Sequence, residues 1–310
     1  MKMNLLVLNF LLGSFALGAP LKLALNWKPE PQFGGFYQAE LDQEFKKAGL
    51  QVQILEGGSG TPTIQMLTFG QVDVAIVSAE EILISNERNP QNPVMALFAV
   101  YHTNPQILMT AKSRGIRDFE SLMKTPGTIA VQTGLTYVQF LKKKYPNAKV
   151  QWVPYTGGVS PLLKKSDFAQ QGFLTSEPLL AQKQGLQMTT FLIANEGFNP
   201  YTTVVAVRKK DFESRKKDYV SLIRTVRKGW QRYLENPTKA NLLMGQKNRA
   251  LDAKTFEDSA EAQKALIRTA SPEALGTMVE ERWQELIDIL VELKVLKKTI
   301  LANSVFLNIE

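Results

Sequence analysis

Cysteine is absent from this 310-residue chain, and histidine occurs only once, at His102. The absence of cysteine excludes disulfides, thiol catalysis, thiolate metal sites and a lipid anchor on a leader cysteine. No Ser-His-Asp or H-E-x-x-H pattern occurs either, so the sequence offers no nucleophile and no zinc site. We therefore expect no catalytic residues, no metal and no cofactor, and we interpret His102 as structural.

The chain is 44% hydrophobic and 21% charged, which is ordinary globular composition at a length that favours two domains. Its formal net charge is +8, with basic clusters at residues 142–144 and 215–217. Both clusters lie on predicted helices whose opposite face is apolar, so we interpret them as solvated faces and expect no nucleic-acid partner. The positive surplus could still attract an anionic ligand or an acidic membrane partner.

The N-terminus has the pattern of an export signal: a lysine, an apolar run over residues 5–12, and small residues before a cleavage site. We predict a signal peptide of residues 1–18. The alternative is a membrane anchor, but the apolar stretch is barely long enough to span and contains Asn9 and Ser14. An exported protein without cysteine is expected in a bacterial periplasm as a soluble protein.

Short apolar strands alternate with amphipathic helices along two stretches of the chain, which predicts an α/β fold with parallel-type sheets. The alternation breaks near His102 and again near Asn199. We therefore predict a domain I of residues 19–102 and 203–310 and an inserted domain II of residues 103–202. A chain that crosses twice leaves a central cleft and a two-strand hinge, which permits closure around a ligand.

Some helix boundaries are predicted from local signals. The apolar spacing of Tyr37, Leu41 and Phe45 predicts one helix from Phe36 to Lys47. We also predict helices from Thr136 to Lys144 and from Glu177 to Lys183. We also expect an N-cap at Thr61 and a cap at Ser271-Pro272 for the last long helix.

The first strand, residues 21–25, runs directly into a turn that contains Pro29 and Pro31. Asn26 and Trp27 are thereby left at the carboxyl end of a strand and next to a helix start, where open α/β sheets bind ligands. Trp27 could be a core residue, but its place after the strand and before two prolines favours stacking on a planar ligand.

Two further junctions of domain I carry small or polar residues. Gly58 and Ser59 lie in a glycine-rich loop that could be an anion nest or only a flexible turn, and that matches neither Walker A nor the dinucleotide fingerprint. Ser78 and Glu80 begin the next helix, where capping alone could explain either residue.

Similar junctions follow in domain II and at the return to domain I, with Glu177 at a helix start. Glu177 could be a partner of the helix dipole, or it could accept N–H groups of a heterocycle, and the sequence does not separate the two. The predicted ligand-binding residues are Asn26, Trp27, Gly58, Ser59, Ser78, Glu80, Gly134, Thr136, Tyr137, Tyr155, Glu177 and Tyr201.

Several segments together resemble the substrate-binding proteins of bacterial ABC importers, in the nitrate/sulfonate/taurine and thiamine-precursor group. They are LNWKPEPQFGGFYQAE, EGGSGTPTIQMLTFGQVDVAIVSAEE, LTSEP and NPYTTVVAVRKK. The resemblance covers essentially the whole mature chain. It implies a type II periplasmic binding fold, a ligand held between the domains, and delivery to a permease in the inner membrane.

Within this group, the Asn26-Trp27 pair and the positions of Glu80 and Glu177 resemble the pyrimidine-precursor binders more than the sulfonate binders. An oxyanion would favour arginine, and no arginine lies in any of the six junctions. We therefore predict a monomer that binds a planar heterocycle, such as a thiamine pyrimidine precursor.

In that prediction Trp27 and Tyr137 stack on the ring. Asn26, Ser78 and the two glutamates form hydrogen bonds to it. The Gly58-Ser59 segment would contact any acidic substituent of the ligand.

Three alternatives remain. The ligand could be an alkanesulfonate or nitrate-type oxyanion, or the protein could present its ligand to a receptor as a sensor subunit. The third is an enzyme of pyrimidine synthesis, although the cysteine-rich signature of the fungal enzyme with this fold is absent.

Overall fold

The computed structural model describes residues 20–310, so the predicted signal peptide and its cleavage site lie outside the described residues. The strands are β1 (Leu21–Ala24), β2 (Val52–Leu55), β3 (Val74–Val77), β4 (Val94–Tyr101), β5 (Gln106–Ala111), β6 (Gly127–Val131), β7 (Val150–Pro154), β8 (Phe168–Phe173), β9 (Met188–Leu192) and β10 (Thr202–Arg208).

Helices lie between most strands and dominate the C-terminal third. They are α1 (Gly34–Leu41), α2 (Glu44–Lys47), α3 (Thr63–Thr68), α4 (Ala79–Arg88), α5 (Phe119–Lys124), α6 (Thr136–Lys144), α7 (Ser160–Lys164), α8 (Glu177–Lys183), α9 (Lys209–Ser214), α10 (Lys216–Glu235), α11 (Thr238–Lys247), α12 (Ala253–Ile267) and α13 (Glu280–Glu292). Along residues 20–310, no helix combines the length and the hydropathy of a membrane-spanning segment.

The strands form two five-stranded sheets, in the orders β2-β1-β3-β10-β4 and β7-β6-β8-β5-β9. We call the first sheet with α1–α4 and α9–α13 the first lobe, and the second sheet with α5–α8 the second lobe. The chain leaves the first lobe after β4 and returns to it at β10, which confirms the predicted α/β fold with two crossings. The residue numbers of the domain boundaries stay a prediction.

Both sheets are mixed, whereas the sequence predicted parallel-type sheets. β10 runs antiparallel to both β3 and β4, and β5 runs antiparallel to both β8 and β9. Each of these strands is the first to enter its sheet after a crossing. A strand that arrives from the other lobe needs no crossover helix, so it can pair in either direction.

The core of the first lobe is closed by tight packing of α1 against α10. A Cβ atom at Gly35 would lie 2.2 Å from the ring of Trp230, and one at Gly229 would lie 2.3 Å from the carbonyl oxygen of Gly35. Trp230 is fully buried and contacts Phe36 edge-on, with ring centroids 6.0 Å apart. Glycine at these two positions therefore sets how closely the two helices approach.

The predicted single helix from Phe36 to Lys47 is wrong, because the chain turns between α1 and α2. Gln43 has a φ of 56°, which interrupts the helical path and leaves Leu41 39% exposed. The turn places Glu44 in a buried position, where its carboxylate accepts hydrogen bonds from Lys228, Arg232 and Lys47. These ion pairs stabilise a direction of the chain that the apolar spacing alone did not predict.

Two predicted caps are also wrong. The hydroxyl of Thr61 accepts the N–H of Gly58 at 2.8 Å, so it closes the glycine-rich loop, and α3 begins two residues later. Ser271-Pro272 lie in a turn, and the last long helix begins only at Glu280, after Val279. In both places the local signal stabilises a turn that precedes the helix.

Candidate functional site

The two crossings of the chain are joined by Arg282 of α13. Its guanidinium donates to the carbonyl oxygens of His102 and Asn199, each at 2.5 Å, and to Asn199 Oδ1 at 3.0 Å. It also lies 3.8 Å from the ring centre of Tyr201. Burial lowers the pKa of Arg282 to about 10, and burial together with this positive charge lowers the pKa of His102. One side chain thus fixes both strands of the hinge.

Trp27 lies at the end of β1 and keeps 38% of its surface exposed. Its indole N–H donates to Glu30 Oε1 at 3.1 Å, and the amide of Asn248 donates to the same oxygen at 3.5 Å. Burial raises the pKa of Glu30 to about 7, against the hydrogen bond from Trp27, and the charge of Glu177 adds to the rise. Glu177 belongs to the second lobe, so the charge of one lobe acts on a carboxyl group of the other.

Glu177 begins α8 with its side chain turned back toward β8. Its Oε2 accepts the N–H of Phe173 at 2.7 Å, and burial raises its pKa. The hydroxyl of Tyr155 lies beside it: burial raises the pKa of Tyr155 to about 12, and the charge of Glu177 contributes. The structure therefore brings together the predicted residues Trp27, Tyr155 and Glu177, and it adds Glu30.

Glu30 is the residue that the sequence reasoning missed. It lies three residues after Trp27 and between two prolines, in a segment that was interpreted only as a turn. An acidic residue within a constrained turn and close to an exposed tryptophan is the signal that could have identified it.

Glu80 lies in the first turn of α4, and its Oε2 is buried without a hydrogen-bond partner among the described residues. Burial raises its pKa to about 7. The neighbouring Ser78 forms a capping box: its N–H donates to Glu81 Oε2 at 2.8 Å, and its Oγ accepts the N–H of Glu81 at 3.4 Å. Capping therefore explains Ser78, whereas Oε2 of Glu80 is left without a partner among the described residues.

Two predicted aromatic residues lie in packed positions. Tyr137 is 5% exposed, and its hydroxyl donates to Gln171 Oε1 at 2.9 Å. Tyr201 is 2% exposed, and its hydroxyl accepts the N–H of Val279 at 3.0 Å. Both rings are enclosed and both hydroxyls are paired, so the structure places these residues in the supporting core of the cleft.

The remaining predicted residues lie at strand ends nearer to solvent. Asn26 and Thr136 are half-buried, Ser59 and Gly134 are exposed, and the N–H of Gly58 is occupied by the Thr61 hydroxyl. No hydrogen bond among residues 20–310 joins them to the side chains of Trp27, Glu30 or Glu177.

The chemistry of the site is that of a hydrogen-bond acceptor. Among the described residues, no lysine or arginine lies within 4.0 Å of the carboxylates of Glu30, Glu80 or Glu177. The same part of the chain holds no cluster of His, Asp or Glu that could bind a metal ion. Carboxylates in this setting accept N–H or O–H donors, or they pair with a positive charge.

The chain shares its fold with proteins of several functions. It matches the aliphatic sulphonate-binding protein SsuA from Escherichia coli with a TM-score of 0.70 at 11% identity, over 94% of each chain. It matches the nitrate-binding protein NrtA from Synechocystis with a TM-score of 0.67 at 13% identity, over 93% of this chain and 86% of that one.

A desulfurization enzyme, DSZB, matches with a TM-score of 0.65 at 12% identity, over 93% of this chain and 96% of that one. A comparison with curated proteins finds no match. The family model described as NMT1/THI5 like matches residues 30–240. The chain therefore belongs to the NMT1/THI5-like family and has the fold of the periplasmic binding proteins.

Proposed function

We propose that this protein is the substrate-binding component of an ABC importer, exported to the periplasm, and that it delivers its ligand to a membrane permease. Its ligand would be a small planar nitrogen heterocycle, such as a thiamine pyrimidine precursor, bound in the cleft between the lobes. The observation that supports this ligand class is the set of three carboxylates without a cationic partner, at Glu30, Glu80 and Glu177.

A carboxylate that is removed from water without a partner is destabilised, and it responds by a rise in its pKa. Burial is the largest cause of the raised pKa at all three residues. A ligand that donates N–H groups would satisfy these oxygens, whereas an oxyanion would be repelled by them. The exposed part of the Trp27 ring supplies a flat surface on which such a heterocycle can stack.

Calorimetry of the secreted protein with thiamine, its pyrimidine precursors, riboflavin, taurine and nitrate tests the ligand class. We expect a pyrimidine to bind and the two oxyanions to bind weakly or not at all. Clear binding of taurine or nitrate, with none of the ring compounds binding, would reject the heterocycle.

Substitution of Trp27 tests the site itself. Trp27→Ala should weaken ligand binding by about 1–3 kcal/mol, the range known for stacking of bases on aromatic side chains. Trp152→Phe, in the second lobe on β7, is the matched control and should leave affinity unchanged. If Trp27→Ala loses fold while affinity per folded molecule is unchanged, Trp27 belongs to the core and not to the site.

The second candidate ligand is an alkanesulfonate or nitrate-type oxyanion. It is favoured by two proteins that share the fold, a sulphonate-binding protein and a nitrate-binding protein. The two ligand classes differ in pH dependence. Binding of a ring that donates N–H groups should strengthen as pH rises through about 7, because the carboxyl groups of Glu30 and Glu80 each ionise there. Binding of an oxyanion should weaken over the same range.

We propose no catalytic function. A reaction centred on the only histidine would need His102, which lies in the hinge with Arg282 bonded to its carbonyl oxygen. Unchanged turnover in His102→Asn would exclude a reaction centred on this histidine, and no turnover in the wild type would agree with a binding protein. Permease and ATPase genes next to this gene would support import over a sensory role.

A further inference from the structure

We infer that Glu30 orients Trp27 and recognises the ligand together with Glu177, so that the cleft selects a flat ring with hydrogen-bond donors on two opposite edges. The inference rests on the proposed function and names its ligand class more closely. It assigns one donor edge to the carboxylate of the first lobe and the other edge to the carboxylate of the second lobe.

The orientation of Trp27 follows from two hydrogen bonds that meet at one oxygen. Glu30 Oε1 accepts the indole N–H at 3.1 Å and the amide of Asn248 at 3.5 Å. The same amide donates to the carbonyl oxygen of Pro29 at 3.2 Å, which fixes the turn behind the tryptophan. The plane of the indole ring is thereby set by Glu30, because rotation of the ring would break the bond.

The proposed recognition of a hydrogen-bond donor on the ligand rests on the carboxylate oxygens that these hydrogen bonds do not use. Oε2 of Glu30 forms no hydrogen bond with any described residue, and it is not enclosed. In the second lobe, Glu177 accepts the N–H of Phe173 at Oε2 and further hydrogen bonds from its own N–H and the Tyr155 hydroxyl. A carboxylate has about four acceptor sites, so each lobe still offers one carboxylate with acceptor capacity toward a ligand that lies between them.

The charge around Glu30 favours such a ligand. The groups that face it are Glu177 from α8, Lys28 from its own segment and the hydroxyl of Tyr101 from β4. Of these, only the lysine is positive, and the glutamate repels an ionised Glu30. A ligand that places an N–H donor or a positive charge at each carboxylate replaces this repulsion by two attractive contacts, so it favours closure of the lobes.

The first test needs no ligand. Two of the four tryptophans, Trp230 and Trp283, are fully buried, so in a Trp152→Phe background the pH response of the fluorescence reports mainly Trp27. We expect a transition with a midpoint near 7 as Glu30 ionises beside the indole.

Three variants test the assignment of this transition. Glu30→Gln keeps an acceptor for the indole and should abolish the transition. Glu177→Gln removes a like charge and should move the midpoint to lower pH. The matched control, Glu213→Gln on the exposed surface of α9, should change nothing. A transition that persists unchanged in Glu30→Gln would overturn the inference.

The second test uses a 4-aminopyrimidine as the probe, titrated at pH 8. Glu30→Gln and Glu177→Gln should each weaken its binding about tenfold or more, the range expected when a charged hydrogen-bond acceptor is lost. Equal affinity in the wild type and both variants would contradict the assigned contacts. If the fluorescence transition behaves as expected and no heterocycle binds, the proposed function fails while the coupling of Glu30 to Trp27 stands.

Discussion

Replacement of Glu80 by glutamine should stabilise the protein at neutral and alkaline pH. Glu80 Oε2 is buried without a partner among the described residues, and burial raises the pKa of this carboxyl from 4.5 to about 7. A rise of this size corresponds to about 3 kcal/mol. In the unfolded chain the carboxyl ionises near its ordinary pKa, so between pH 4.5 and 7 the folded protein holds a proton that the unfolded chain has lost. The contribution of Glu80 to the free energy of unfolding therefore falls as pH rises through this window, and it levels off above it.

Urea unfolding of the wild type and Glu80→Gln at pH 5, 6, 7 and 8 measures this effect. Any difference in packing between the glutamate and glutamine side chains is the same at every pH, so it does not affect the change of the stability difference with pH. The advantage of the variant should grow by about 2–3 kcal/mol from pH 5 to pH 8. Glu213→Gln, an exposed carboxyl, should follow the wild type. A difference between Glu80→Gln and the wild type that does not change with pH would refute the reasoning.

The same substitution should reduce ligand affinity, because the amide cannot offer the charged acceptor that the carboxylate offers. A variant that is more stable and binds less well would identify Glu80 as a residue kept for function at the expense of stability. Gain of stability with unchanged affinity would place Glu80 outside the site.

Three further perturbations test the hinge, the lobe contact and the core. Arg282→Met should lower the free energy of unfolding by about 2–4 kcal/mol in urea titration, because its bonds to both crossings are lost; an unchanged midpoint would contradict this role. Lys183→Met breaks the ion pair with Asp252, 2.5 Å long and largely exposed, that joins α8 to α12, so it should change stability little. Because the chain has no cysteine of its own, one cysteine can be introduced in each lobe and spin-labelled. Lys183→Met should widen the distribution of distances between the two labels; an identical distribution would argue against a contact that restrains the lobes. Gly229→Ala would place a Cβ atom 2.3 Å from the carbonyl oxygen of Gly35, and the forced separation of α1 and α10 should cost about 1–3 kcal/mol in thermal or urea unfolding; a stability equal to the wild type would contradict the tight packing.

The elements that the sequence predicted best are two helices with a strong local signal at one end. The helix Thr136–Lys144 has three lysines in its last turn, and the helix Glu177–Lys183 has an acidic residue and a proline at its start. Both were predicted with the boundaries that the structure shows. Their termini are decided by the dipole and by the proline, which act within one turn of the helix.

Strand direction could not be predicted in the same way. The sequence of β10 is a buried apolar run, and such a run is compatible with a parallel or an antiparallel central strand. Its direction depends on where the chain re-enters the first lobe, and this position is set by the path of the chain between the two lobes. The break between α1 and α2 is similar, because it is stabilised by Lys228 and Arg232 from a helix far along the chain.

The candidate site shows the same limit. Trp27 could be predicted as accessible because two prolines follow it, and the structure leaves 38% of it exposed. Glu30 could not be found from propensity, since the amide that holds it comes from Asn248, 218 residues later. Tyr137 has the residue type that stacks on ligands, and its burial is decided by a partner on strand β8, Gln171.

The positive net charge of the whole chain and the negative charge of the proposed site favour different binding partners. The formal net charge is +8, yet the three proposed ligand-binding carboxylates, Glu30, Glu80 and Glu177, have no lysine or arginine within 4.0 Å in the described part of the chain. A long-range positive field attracts anions to the surface, but short-range repulsion by the carboxylates opposes their binding in the cleft. The ligand is selected by contacts at short range, where removal of water makes each electrostatic interaction strongest. We therefore expect the basic surface to favour an acidic docking partner, such as the periplasmic side of a permease, while the proposed site selects a ligand that donates hydrogen bonds.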